Sequence, residues 1–294
     1  MEYAAPTTIE EAVSLLAGAK GVAKALSGGT DLLVQLRSGR ISPGLIVDTK
    51  RIAGMVGIRE EGRGFVIGAA TPGADFAAHP GLRRAWPGLV EAFDLIGSTQ
   101  IQSRASLAGN LCNASPAADS VPALFAADAI AVVVGAGGKR QVPVAEIPIA
   151  PGRTALSKDE LILEFRLPPR PARSSDAYLR FIPRTEMDIA VVGCAVNVTL
   201  DERGVCTDAR VVLGAVAPTV VHVPDAARAL IGHTLDESAL ARLDSAAQAA
   251  CKSIDDKRGT IAFRTKVAGV LARRVAAIAF ARARDVSHNG KGHV

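Results

Sequence analysis

Apolar and polar positions in this chain alternate between helical and extended rhythms from the start. Thr8-Ile9-Glu10-Glu11 forms a capping box, and Ala12, Leu15, Leu16 and Ala19 follow at helical spacing, which predicts a helix over residues 9–17. A short strand over 23–26 delivers the chain to the turn-forming run Ser27-Gly28-Gly29-Thr30-Asp31. Leu32, Leu33 and Leu36 then suggest a helical segment, ended by Ser38-Gly39. Buried-strand runs stand at 45–48 and 65–69. The spacing of Leu82, Trp86, Leu89, Val90, Phe93 and Ile96 predicts one helix over 82–96, with Pro87 near its start.

Between residues 106 and 119 the rhythm stops. Small residues, turn formers and hydrogen-bonding side chains fill Ser106-Leu107-Ala108-Gly109-Asn110-Leu111-Cys112-Asn113-Ala114-Ser115-Pro116-Ala117-Ala118-Asp119, which reads as a working loop. A short helix over 120–127 follows, with Ser120 as its cap and Pro122 in its first turn. Strands are expected at 129–134 and 141–144 around a glycine-rich turn, and another at 161–167. The Pro- and Arg-rich run 168–175 is the best linker in the chain and places a domain boundary between 173 and 174. Beyond it come strands at 177–181, 189–200 and 210–217, then helices at about 225–231, 237–251 and 264–283, and a flexible tail over 287–294. Strands first and helices afterwards is the order of an α+β layer.

Composition narrows the possibilities. The 294 residues, 49% of them hydrophobic, suffice for two or three compact units. No uninterrupted apolar run approaches the roughly 18 residues of a membrane span, and residues 1–6 lack the features of a secretory signal, so a cytoplasmic chain with no membrane span is expected. Cys112, Cys194, Cys206 and Cys251 are scattered with no C-x-x-C pair, and the five histidines share no metal-binding spacing, so no metal site is written here. The net charge of +5 comes from the late region, where residues 251–294 hold ten Lys and Arg against three Asp. With aromatics at 4% and no basic run interleaved with them, nucleic acid is not the expected partner.

Two stretches carry candidate chemistry. Gly28-Gly29, after a strand and before a helix, offers backbone N–H groups suited to a pyrophosphate, although a bare strand-to-helix turn would use glycine in the same way. In the second stretch Ser106, Asn110 and Ser115 donate and accept, Gly109 admits close backbone approach, and Asp119 can accept from two hydroxyls as a ribose-binding carboxylate does; its alternative role is a helix cap. Together they suggest one elongated, phosphate-bearing ligand.

Four ordered blocks then resemble the FAD-binding medium subunit of the molybdenum hydroxylases, the family of xanthine and carbon monoxide dehydrogenases. These are Ser27-Gly28-Gly29-Thr30-Asp31-Leu32-Leu33, residues 101–111, residues 114–124, and Arg184-x-x-x-Asp188-Ile189-Ala190; Asp256-x-Arg258-Gly259 and Leu271-Ala272-Arg273-Arg274 extend the likeness to the C-terminal part. The resemblance implies an α+β fold: a p-cresol methylhydroxylase-type FAD-binding domain over 1–173 in two α+β halves (about 1–53 and 54–173), then a smaller α+β domain over 174–286. It implies that Ala25, Leu26, Ser27, Gly28, Gly29, Thr30, Asp31 and Leu32 wrap the FAD pyrophosphate. Ser106, Leu107, Ala108, Gly109 and Asn110 would continue that cradle, with Ser115 and Asp119 beside it. Ile96 and Ile162 match flavin-lining positions, their alternative being ordinary core residues. Arg180 falls where relatives often carry a flavin-contacting lysine. Ala108 stands in place of a usual second glycine and Ser27 in place of alanine, glycine or valine. Nothing resembles the cysteine-bearing insertion of the hydroxybenzoyl-CoA reductases.

The function so implied is electron transfer through FAD to an external acceptor. Molybdopterin and 2Fe-2S clusters would lie on partner chains, a large subunit and an iron–sulfur small subunit, in a dimer of heterotrimers. Four dispersed thiols cannot ligate a cluster on this chain, in keeping with that division of labour. The alternatives are a stand-alone FAD-dependent oxidoreductase, for which no proton-transfer set is evident, and a non-catalytic scaffold.

Overall fold

The computed structural model describes residues 1–289, with side chains to residue 285. The first unit is a crossover: β1 (Glu2–Ala4), α1 (Ile9–Gly18), β2 (Ala23–Leu26), α2 (Leu32–Arg37) and β3 (Leu45–Asp48). Its strands are parallel in the order β1-β3-β2, which helical connections permit and a tight turn would not. Thr8 caps α1 by accepting the Glu11 N–H, as the capping box requires.

β4 (Ile58–Glu61) and β5 (Gly64–Gly68) open the second unit. Short helices α3 (Gly73–Ala78), α4 (Pro80–Ala85), α5 (Pro87–Asp94), α6 (Thr99–Gln102), α7 (Leu107–Cys112) and α8 (Ser120–Ala126) follow. β6 (Ile130–Gly135), β7 (Gly138–Pro143), the small pair β8 (Pro148–Ala150) and β9 (Arg153–Thr154), and β10 (Leu161–Leu167) complete it. The antiparallel sheet runs β4-β5-β10-β6-β7, so the most apolar strands lie inside and the charged ones at the edges.

In the third unit β11 (Ser174–Phe181), β12 (Val192–Leu200), β13 (Cys206–Gly214) and β14 (Val221–His222) form an antiparallel sheet in sequence order. α9 (Pro224–Leu230), α10 (Glu237–Ala249) and α11 (Ile261–Asn289) follow. The sheet has no wet face over much of its length. Ala177, Cys194, Val196 and Val211 belong to one core with α11, whereas Tyr178, Ala195 and Val212 belong to the core of the preceding units. Period-two alternation thus feeds two cores from one sheet.

Several expectations are corrected. The helix expected over 82–96 is two helices, because Pro87 bars a helical conformation at Trp86, which sits at φ −131° and ψ 59°. The stretch read as loop from 106 to 119 contains α7. Ser120 is the first residue of α8 rather than its cap, and Asp119 precedes it without a side-chain capping bond. The strand expected from 189 begins at Val192. β1, β4 and β14 escaped the sequence reading. α11 continues through His288 to Asn289, so residues 287–289, expected in a flexible tail, are helical; residues 290–294 of that expectation lie outside the described residues.

Candidate functional site

A cavity of about 360 Å³ lies where the first two units meet, within the size range of small-molecule sites. Ala25, Ser27, Gly28, Gly29, Thr30, Asp31 and Leu32 form one wall; Ser106, Ala108, Gly109 and Asn110 form another; Ile96 and Ile162 add apolar surface. The two loops singled out from sequence therefore border one space.

They are fastened to each other. Ser27 Oγ lies 2.7 Å from Ser106 Oγ, and Gln35 donates to Asn113 Oδ1 at 3.2 Å. A Cβ at Gly28 would stand 1.8 Å from the Arg104 carbonyl oxygen. Glycine is needed there so that one loop can lie against the other, which is a different reason from the ligand access inferred from sequence. Gly29 supplies the conformational freedom, with φ at +83°. Ser106 caps α7 by accepting the Gly109 N–H, and Asn110 Oδ1 accepts from the Ser120 hydroxyl at 2.7 Å. Among the described residues the N–H groups of Gly28, Gly29 and Thr30 have no acceptor within the chain, which leaves three donors at the cavity wall. Burial pushes the Asp31 carboxyl above its ordinary pKa.

The third wall was not expected. Thr154, at the end of β9, and Leu156, Ser157, Lys158 and Glu160, from the segment leading to β10, form it, with Met55 and Ala69 beside them. The Gly152 N–H donates to the Ala114 carbonyl at 3.0 Å, tying this segment to the end of α7. The sequence signal was slight: a polar Ser157-Lys158-Asp159-Glu160 turn just before an apolar strand.

Five anticipated residues are not on the cavity lining. Leu107 is buried beneath α7 in the core, and Leu26 and Ser115 lie off the wall. Asp119 and Arg180 pair with each other: Arg180 Nη1 donates to Asp119 Oδ2 at 2.6 Å, and the Tyr178 hydroxyl donates to Oδ1 at 2.8 Å. Both carboxylate oxygens thus already accept from protein donors. Burial raises the Asp119 pKa to about 6 against the downward pull of Arg180 and Tyr178. Arg180 Nε is buried without a partner among the described residues.

Open N–H donors and hydroxyls at one side, and Met55, Ala69, Ile96, Leu156 and Ile162 at another, suit a cofactor with a phosphate part and a flat apolar part. Among the described residues no cluster of His, Cys, Asp or Glu could hold a metal ion, and no helix is long and apolar enough to cross a membrane. Site and fold together define a cofactor-binding α+β protein.

Comparison with known proteins makes the class specific. Residues 1–170 match the family described as "FAD binding domain in molybdopterin dehydrogenase", and residues 177–279 match "CO dehydrogenase flavoprotein C-terminal domain". The chain is 32% identical to the carbon monoxide dehydrogenase medium chain of Hydrogenophaga pseudoflava, over 96% of this chain and 97% of that one. It is 34% identical to a putative xanthine dehydrogenase FAD-binding subunit of Escherichia coli, over 74% and 75%. The solved carbon monoxide dehydrogenase from H. pseudoflava superimposes with a TM-score of 0.92 at 33% identity, covering 96% of this chain and 98% of that one. The chain belongs to the family of FAD-binding subunits of molybdenum hydroxylases.

Proposed function

We propose that the cavity holds FAD and that this chain is the electron-transfer subunit of a molybdenum hydroxylase complex, with molybdopterin on a large subunit and 2Fe-2S clusters on a small one. Bound there, FAD would supply the redox chemistry that passes reducing equivalents from the clusters to an external acceptor. The observation that carries the reading is the union of two loops, far apart in sequence, around one cavity with three open backbone donors. Ser27, Gly28, Gly29 and Thr30 would hold the phosphates with Ser106, Gly109 and Asn110, while Ile96 and Ile162 would flank the ring. Asp119, held by Arg180, would support the site through the next residue, Ser120, whose hydroxyl donates to Asn110.

The division into an FAD-binding part over 1–173 and a C-terminal part over 174–286 is supported by the Pro-rich linker and by the family matches on either side of it. Relatives named as medium chains support assembly with other subunits, for which a cytoplasmic dimer of heterotrimers is the arrangement we infer. Purification settles the central point. A yellow protein with an oxidised-flavin absorption spectrum that co-purifies with two further subunits is expected; a colourless chain that takes up no FAD would overturn the reading.

A further inference from the structure

A loop that keeps its N–H groups open for a ligand cannot be held in place by those same groups, so its rigidity has to come from its carbonyls and side chains. The structure shows what holds them. Thr49, directly after β3, donates to the Leu26 carbonyl twice, from its N–H at 3.0 Å and from Oγ1 at 3.2 Å. The next residue holds the next carbonyl: Lys50 Nζ donates to Ser27 O at 3.0 Å. The ammonium is itself anchored, 2.7 Å from Asp48 Oδ1, and Tyr3 donates its hydroxyl to Asp48 Oδ2 at 2.7 Å. Burial pushes the Asp48 carboxyl up, but hydrogen bonds from Lys50 and Tyr3 outweigh it and keep it below the usual range, so Lys50 faces a carboxylate at neutral pH. Past Ser27, the Ser27–Ser106 hydroxyl contact carries the chain of contacts to the second loop and, through Ser106 Oγ, to the Gly109 N–H. Lys50 is not on the cavity lining; it acts through the backbone.

We propose that Lys50 is a positioning residue of the cofactor cradle: anchored by Asp48, it fixes the Ser27 carbonyl and thereby the open N–H groups of Gly28, Gly29 and Thr30. The inference rests on the FAD reading of the cavity. Its advantage is pre-organisation, since a loop already held in shape loses less freedom when the ligand arrives.

The test uses the full-length chain freed of FAD, with two variants, Lys50→Met and the double Asp48→Asn/Lys50→Met. Amide hydrogen exchange and FAD titration by flavin fluorescence are read on each. In Lys50→Met, exchange at Thr49 and Leu33, whose N–H groups donate to the Leu26 and Gly29 carbonyls of the loop, rises while β1–β3 stay protected, and FAD affinity falls roughly tenfold, the scale of one charge-assisted hydrogen bond. The double variant stays weak, because the Ser27 carbonyl is still free. If the double variant regains wild-type affinity, Lys50 serves only to neutralise Asp48 and the proposal is overturned. It is also overturned if exchange rises across the whole parallel sheet, or if the loop and the affinity are unchanged. Should Lys50→Met fail to fold, the neutral double variant gives the same measurements. A wild-type chain that binds no FAD would defeat the FAD reading, whereas the exchange comparison would still decide whether Lys50 holds the loop.

Discussion

Two glycines at the cavity differ in what they do. Gly28 has no room for a side chain, because Arg104 backbone occupies the place of a Cβ. Gly109 sits inside α7, where a Cβ would meet only Ser106 Oγ, at 3.2 Å, and it borders the cavity. Gly28→Ala is therefore expected to cost about 1–3 kcal/mol of stability by overpacking and to weaken FAD binding as the loops part. For Gly109→Ala, the gain in helix propensity, roughly 0.5–1 kcal/mol, offsets the strain at Ser106, so stability stays within about 1 kcal/mol while FAD affinity falls. Thermal unfolding of the FAD-free protein beside a flavin titration reads both quantities. Equal destabilisation by the two substitutions would show that the contact at Gly28 is not the tighter one. The glycine pair was legible from sequence; the reason for Gly28 was not, since its partner lies 76 positions away.

At the level of elements, legibility followed length and burial. β10 spans the residues expected of it, and β2, α1 and α10 fall within two residues of their expected bounds, because each carries a full apolar period. β1 and β14 are too short to show a period, and β4 is an edge strand with charged residues, so only their partners define them. The same limit hid α7. Six residues make under two turns, with small residues on most faces, and tertiary contacts rather than propensity form the helix. Ser106 is the residue that gives α7 a start, and it also meets Ser27 across the cavity. Ser106→Ala is expected to cost about 1 kcal/mol for the lost cap, a lower urea midpoint, and to reduce FAD affinity because the second loop is released. A lowered midpoint with wild-type affinity would separate the cap from the cradle. The third wall of the cavity stayed hidden for a related reason: residues 154–160 have no period, and tertiary contacts hold them there, among them the β8–β9 pair, Ala155 N to the Ile147 carbonyl, the Gly152–Ala114 bond and the Arg140–Glu160 ion pair.

Across the whole molecule, the join between the FAD-binding units and the C-terminal sheet is polar at points where the packing is closest. α5 approaches β11 so tightly that a Cβ at Gly88 would stand 2.7 Å from the Ala177 nitrogen. Nearby, Leu89 N donates to Asp176 Oδ2, and Arg282 of α11 reaches Glu91 and the Asp176 carbonyl. Asp119, just ahead of α8, closes the join on Tyr178 and Arg180 of β11. This last contact has a pH signature. Burial, opposed by Arg180 and Tyr178, lifts the Asp119 pKa from 3.8 to about 6. The folded state therefore binds the Asp119 proton more tightly than the unfolded chain does, and the stability this contributes is present in full below pH 3.8 and lost as pH rises through about 6. Urea midpoints of the wild type and Asp119→Asn, measured from pH 4 to 7, isolate that contribution because the other carboxylates titrate alike in both. The wild-type advantage over Asp119→Asn should shrink with rising pH, by about 1–3 kcal/mol over the range. A difference that grows with pH would mean that Arg180 stabilises the carboxylate more than burial penalises it, making the ion pair a net fastener of the two halves at neutral pH.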